Sequence, residues 1–450
     1  MAVLGTDASV LGCPAMQMDG TAGHKKLGIL VGGGPAPGIN SVIGAATIRA
    51  ELSGSEVVGI QDGFQWLMKG DVSHVQRLRA RDVSRIHFRG GSHIGIARAN
   101  PTANEADLEN TLTSLLRLDV DKLITIGGDD TAYSAYRLEQ ISRGRIRVVH
   151  VPKTIDNDLD LPPETFTFGF QTARHIGVEI VKNLMVDAKT THRWYFVIAM
   201  GRKAGHLALG IGKAAGATIT LVPEEFRTEK LTLKTVVDTL CGSIIKRLAH
   251  GRADGVAVIA EGVVEMLDEL DLASLPEIER DAHGHIRIAE VNIGEILKVQ
   301  VQARLKQWGI KSTIVAKNIG YELRCADPIP FDMEYTRDLG YCAARSLHDG
   351  VTGVLISIAN GVFHPIPFET LLDPATGRTR VRMVDVDSDR YRIAATYMIR
   401  LRPEDFADPH ELARYSTATG ITSEQFRTHF EYLVAHPTPS LRPPLVRAGE

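Results

Sequence analysis

The sequence predicts an α/β protein made of two doubly wound, Rossmann-like parallel-sheet domains with a cleft between them. Three observations carry this expectation. From Lys26 onward, short apolar and β-branched runs recur, each followed by a glycine-containing turn and a stretch of helical spacing, which is the βαβ signature. The runs are nearly continuous rather than alternating in polarity, as in strands covered on both faces of a parallel sheet. There are also more such units than one sheet comfortably holds, so the chain divides in two.

Strands are expected at 27–31, 123–126, 147–151, 195–200, 218–222, 256–259, 313–316 and 354–358. Helices are expected at 39–52, 171–189, 233–250, 293–306 and 333–347, where apolar residues recur every three or four positions. The charged stretch 268–289, with Pro276 and a DAHGH turn, reads as an exposed insertion. Beyond Val386 the rhythm gives way to helical fragments and a proline-rich HPTPSLRPP. The first 23 residues and the last dozen or so read as poorly ordered tails.

Composition narrows the function classes. With 450 residues, 44% apolar and 23% charged, the chain has ordinary globular composition and enough apolar material for a substantial core. A net charge of -3 and a pI near 6.6 provide no bulk attraction to nucleic acid or to an anionic membrane, so any phosphate must be held by locally placed charge. The four cysteines, at 13, 241, 325 and 342, form no CxxC and no metal pattern with histidine, which suggests reduced thiols and the cytoplasm. The opening residues lack a basic n-region and a continuous apolar core, so neither secretion nor a membrane partner is expected.

Four strand-to-helix elements point to phosphate chemistry. In LGILVGGGPAPGIN the strand ends in Gly32, Gly33 and Gly34 and a helix starts after Gly38, so backbone amides and a helix N-terminus can approach an anion. This is neither GxGxxG nor GxxxxGK[ST], and a tight turn without a ligand stays open at this point. In LITIGGDDTAYSA, Asp129 and Asp130 follow a buried strand at its carboxyl end, where open α/β sheets bind ligands, although either Asp130 or Thr131 would also serve as a helix cap. VVHVPKTIDNDLD places Lys153, Thr154, Asp156 and Asp158 within six residues. If these carboxylates converge with Asp129 they repel one another, a conflict that Mg2+ with its carboxylate and phosphate ligands resolves. HRWYFVIAMGRKAGH brings Arg193, Arg202 and Lys203, and arginine suits phosphate through its planar fork of donors. His206 reads as structural or capping rather than catalytic.

Together these elements resemble the phosphofructokinase family. GGGPAPGIN, GGSHIGIAR, GGDD, PKTIDND, MGR, AEG and GYELR stand in the family's order over roughly residues 25–365. The resemblance implies a phosphoryl-donor and Mg2+ domain at 24–167 plus about 323–390, and a sugar-phosphate domain at 168–322. The 1–23 tail and a C-terminal helical segment at 391–450 fall to either side. Carried over position by position, Gly33 and Gly34, with Asp130 and Thr131, would meet the donor, and Asp129 would hold Mg2+. Asp156 would take the proton from the 1-hydroxyl of fructose 6-phosphate, Arg98 and Lys153 would act on the transferring group, and Thr154, Ile155 and Asp158 would place substrate and metal. Met200, Gly201, Arg202, Glu261, Tyr321, Glu322, Leu323 and Arg324 would surround the sugar phosphate. Arg193 matches an arginine donated across a subunit interface, which implies a homo-oligomer, with dimer and tetramer both open.

The sequence departs from ATP-using bacterial relatives in ways that point to the donor. Pro35 replaces an aspartate in the glycine loop, and Val315 stands where an arginine helps hold the sugar phosphate, with Lys317 as a candidate substitute. Asp130 occupies a position that is usually glycine in ATP enzymes. A carboxylate about 4 Å from an α-phosphate oxygen costs on the order of 4 kcal/mol at an effective dielectric near 20. The expected reaction is therefore reversible phosphoryl transfer from pyrophosphate to fructose 6-phosphate in glycolysis or gluconeogenesis. An ATP-dependent enzyme and a non-catalytic regulatory subunit of the same fold are the alternatives, and the intact Asp129, Asp156 and Arg202 weigh against the second.

Overall fold

The computed structural model describes residues 26–162, 165–228, 230–273, 291–371 and 379–435. Most of the 268–289 insertion, and both expected tails, lie outside them. The strands are β1 Lys26–Val31, β2 Val57–Ile60, β3 Val75–Leu78, β4 Val120–Gly127, β5 Arg147–Pro152, β6 Trp194–Ala199 and β7 Ile219–Leu221. They continue with β8 Gly255–Ala260, β9 Ile314–Ile319, β10 Val354–Leu355, β11 Ile358–Ala359, β12 Val362–Phe363 and β13 Ile366–Pro367.

Two larger sheets form. One has seven strands in the order β13-β10-β5-β4-β1-β2-β3, and the other four in the order β7-β8-β6-β9. Their interiors are parallel, as the continuous apolar runs require. Both edges of the larger sheet are antiparallel, β3 against β2 and β13 against β10. The sequence reading did not anticipate β2 or β3. Val75, Gln76, Arg77 and Leu78 are short and half polar, which an edge strand tolerates because one face and one rim meet water. The single strand expected at 354–358 divides: β10 pairs with β5, while β11 turns away into a hairpin with β12.

The helices at 39–52, 171–189, 233–250, 293–306 and 333–347 form close to those bounds, as Ile39–Leu52, Phe170–Thr191, Leu233–Ala249, Ile293–Lys306 and Pro330–His348. Glu105–Arg117 and His206–Ala215 are further helices that the periodicity reading passed over. The first carries a readable start: the Asn104 side chain accepts the Asp107 N–H at 2.8 Å, an N-cap with acids in the first turn.

Three apolar clusters form among the described residues. One joins the two sheets, because Ile29, Val31, Ile126 and Val151 share it with Val197, Val256 and Val258 through helices Phe170–Thr191 and Pro330–His348. Asp332 fixes that junction, accepting the Gly169 N–H at 3.0 Å and the Thr172 N–H at 2.7 Å where the chain crosses between domains. A second cluster lies on the outer face of the larger sheet. In the third, Phe406, Leu412, Tyr415, Phe426 and Phe430 of the C-terminal helices cover the helix Leu233–Ala249. No helix among the described residues is long and apolar enough to cross a membrane.

Candidate active site

The turns that follow β4, β5, β6, β8 and β9 line one cleft, at the carboxyl ends of strands from both sheets. It has two compartments. A cavity of about 290 Å³ lies on the side of the glycine loop, Asp130 and Lys153, and one of about 580 Å³ on the side of the second sheet. Arg98, Gly128, Asp129, Thr154, Asp156 and Arg324 line both, so they form the common wall.

In the smaller compartment Gly33 has φ 84, a conformation open mainly to glycine. A Cβ there would sit 3.6 Å from Lys153 Nζ. Lys153 is 4% exposed and donates to the Gly34 carbonyl. Burial, with Arg324 adding to it, pulls its pKa down to about 8. Thr131 packs against the turn, its Oγ1 2.5 Å from where a Gly32 Cβ would lie, which is why that position is glycine. Asp130 and Ile155 line this compartment as well.

The common wall carries the carboxylates. Burial pushes the Asp156 carboxyl up to about 7, and the neighbouring Asp158 adds to it. Its Oδ1 is covered and has no hydrogen-bond partner. Asp158 is also raised, first by burial and then by Asp129. Asp129 meets Lys203 Nζ at 2.5 Å, a contact across the cleft. Lys203 is thus a site residue that the sequence placed in the turn but gave no role. Among the described residues, no three acidic, histidine or cysteine side chains lie at metal-ligand spacing.

The larger compartment is built from the second sheet. Gly201 has φ 126, and its carbonyl accepts the Gly262 N–H at 3.1 Å. Any Cβ at Gly262 would lie 2.2 Å from the Arg202 carbonyl oxygen, so the glycine of AEG is there to let the MGR turn approach. Arg202 Nε lies 3.7 Å from Glu261 Oε1. Met200, Gly201, Tyr321 and Glu322 line the same space, with Arg324 stacked 5.5 Å from the Tyr321 ring.

Several expected residues are elsewhere. Leu323 is fully buried and lines neither compartment. Arg193 precedes β6 at its amino end, about 20 Å of strand from Met200, and faces Asp187 at 3.7 Å. The single chain does not bring it to the cleft. Val315 and Lys317 line neither compartment of this chain, whereas Asn318 and Ile319, nearer the carboxyl end of β9, line the larger one. His206 is held neutral, burial lowering its pKa to about 4, and its Nε2 meets the Arg382 carbonyl at 3.0 Å.

The family profile for phosphofructokinase matches residues 26–347. The chain belongs to the phosphofructokinase family. Among its relatives is the pyrophosphate–fructose 6-phosphate 1-phosphotransferase of Thermotoga maritima, 52% identical over 411 residues that cover 90% of this chain and 98% of the relative. The enzyme of the same name from Naegleria fowleri is 47% identical over 417 residues, covering 91% and 95%. The fold is shared with the pyrophosphate-dependent phosphofructokinase of Nitrosospira multiformis, at TM-score 0.62, 17% identity and coverage of 94% and 95%. It is shared too with phosphofructokinase of Saccharomyces cerevisiae, at TM-score 0.61 and 19% identity, where this chain spans 50% of the longer one. The phosphofructokinase match ends before β10, so β10–β13 and the C-terminal helices lie beyond it.

Proposed function

We propose that this chain transfers a phosphoryl group from pyrophosphate to the 1-hydroxyl of fructose 6-phosphate, giving fructose 1,6-bisphosphate and phosphate in a reversible, Mg2+-dependent reaction. The observation that carries this reading is the position of Asp156 on the wall common to both compartments. Pyrophosphate occupies the smaller compartment and the sugar phosphate the larger.

Asp156 accepts the proton of the 1-hydroxyl. A carboxyl raised to about 7 is matched to base catalysis near neutral pH. Lys153, beneath Gly33 and Gly34, and Arg98 and Arg324 on the common wall offset the charge on the transferring and leaving phosphates. Asp130 leaves no favourable place for a nucleotide α-phosphate. Arg202, Glu261 and Tyr321 orient the sugar.

The residues suit Mg2+. Asp129 and Asp158 are hard oxygen donors close enough to interact, for Asp158 is raised first by burial and then by Asp129. Asp129 and Asp158 would hold the ion, which takes one or two carboxylates and completes its shell with phosphate and water. When bound, it screens charge on the phosphates. Arg193 serves the larger compartment of a second copy, which makes the active form a homo-oligomer, and the enzyme works in the cytoplasm.

The test compares kcat/KM for fructose 6-phosphate phosphorylation with pyrophosphate and with ATP, each with Mg2+. Pyrophosphate is expected to lead by at least about 100-fold, within the 4 kcal/mol scale of the Asp130 repulsion. An equal or greater value with ATP overturns the donor assignment.

A further inference from the structure

We propose that Arg382 is a positioning residue for this reaction, strapping the loop that carries Asp156 and Asp158 and holding Asn157, between them, in its left-handed conformation. The proposal rests on the reading of Asp156 as the base. Asn157 has φ 57, and its two neighbours, Asp156 and Asp158, line the larger compartment. The backbone angle at 157 therefore sets how those carboxylates stand relative to each other. Asparagine tolerates this conformation better than most residues other than glycine, and its surroundings decide how firmly it is held.

Arg382 supplies the support. Its Nε donates to the Asn157 carbonyl at 3.3 Å, and Nη2 donates to the same carbonyl at 3.2 Å and to Asn157 Oδ1 at 2.5 Å. Nη1 donates to the Thr165 carbonyl at 2.8 Å. The Arg382 N–H donates to the Asp158 carbonyl at 2.8 Å, and Val381 bridges Leu159 in antiparallel fashion. Asn157 Oδ1 also accepts the Thr167 N–H at 3.0 Å, but Asn157 is 4% exposed, so its backbone carbonyl, held by Arg382, would be costly to leave unpaired.

The same segment reaches the opposite wall. The Arg382 carbonyl meets His206 Nε2 at 3.0 Å, and the Val384 N–H donates to Glu224 Oε1 at 2.9 Å, which also takes the Gly205 N–H at 2.9 Å. Residues 381–384 thus tie the TIDND loop of one domain to the MGRKAGH turn of the other. They lie beyond residue 347, where the family match ends. This part of the chain outside the common domain acts on the reacting groups through the backbone of the loop that bears them.

Wild-type turnover with pyrophosphate is measured first; its absence sinks the proposed function and this inference together. With wild type active, Arg382→Ala is expected to lower kcat by about 10- to 100-fold, the usual consequence of a small misplacement of reacting groups. Binding of fructose 6-phosphate by calorimetry should change less than about threefold, since Arg382 lines neither compartment. Adding Asn157→Gly to Arg382→Ala should recover kcat by about fivefold or more, because glycine takes a positive φ freely, although that substitution lowers the melting temperature. If Arg382→Ala does not fold, Arg382→Lys is used in both measurements. Wild-type kcat in the position-382 variant, or a loss that follows the melting temperature and is not recovered by glycine at 157, overturns the positioning role alone.

Discussion

Replacing Asp156 by asparagine should stabilise the ligand-free protein while removing most of its activity. The Asp156 carboxyl is raised from 3.8 to about 7, by burial first and then by Asp158, and its Oδ1 has no partner. A difference of about three units corresponds to about 4 kcal/mol, and since the group is partly open to the cavity, about 2 to 4 kcal/mol is expected. Below pH 3.8 the carboxyl is protonated in both the folded and unfolded chain and costs nothing. As pH rises from there to about 7 the unfolded chain releases its proton first, so wild-type stability falls, and the full penalty remains above pH 7. Asparagine never carries that charge. The melting temperature of Asp156→Asn, measured with chelator from pH 5 to 8.5, should exceed wild type by several degrees at the alkaline end, with the gap closing toward pH 5. Mg2+ with pyrophosphate should narrow the gap by compensating the carboxylates, while turnover of the variant falls by about 10² to 10⁴. A gap that is absent, reversed or independent of pH would refute the claim that an uncompensated charge is held at this position.

Other outcomes follow from the same geometry. Asp130→Gly removes a carboxylate from the smaller compartment and should shift the ratio of kcat/KM toward ATP while pyrophosphate turnover declines; an unmoved ratio assigns donor choice elsewhere. Arg193→Ala should weaken fructose 6-phosphate binding by roughly 1.5 to 3 kcal/mol, the scale of a charge-assisted hydrogen bond. Mixed with Asp156→Ala, it should regain activity in hybrid oligomers, and no recovery despite subunit exchange would rule out a shared site. Gly201→Ala places a Cβ 3.1 Å from the Ala204 carbonyl at φ 126, which should cost about 1 to 3 kcal/mol of stability and raise KM for the sugar phosphate. A wild-type KM in that variant would show that the turn does not set the sugar site.

Much of the site was legible because its chemistry is local. GGGPAPGIN, GGDD and PKTIDND each keep their working residues within a few positions of a strand end, where a parallel sheet must present them. The glycines are readable for the same reason: Gly33 and Gly201 hold positive φ, and Gly262 sits where another backbone approaches. Leu323 was harder to read because neighbours in sequence point to different sides. In YELR the leucine turns into the core while Tyr321, Glu322 and Arg324 line the cleft.

The sequence by itself determined the parallel strands, the cleft at their carboxyl ends and the acids and glycines of the turns that line it. These depend on hydrophobic periodicity and on turn chemistry, which act over a few residues. Only the tertiary structure decided the pairing of Asp129 with Lys203, 74 residues apart, and the grip of Arg382 on Asn157, 225 residues apart. It also decided that Arg193 stands at the far end of its sheet and that β2 and β3 extend the larger one. Such contacts leave no periodic trace, because the docking of the two domains, and of the segment beyond them, brings the partners together.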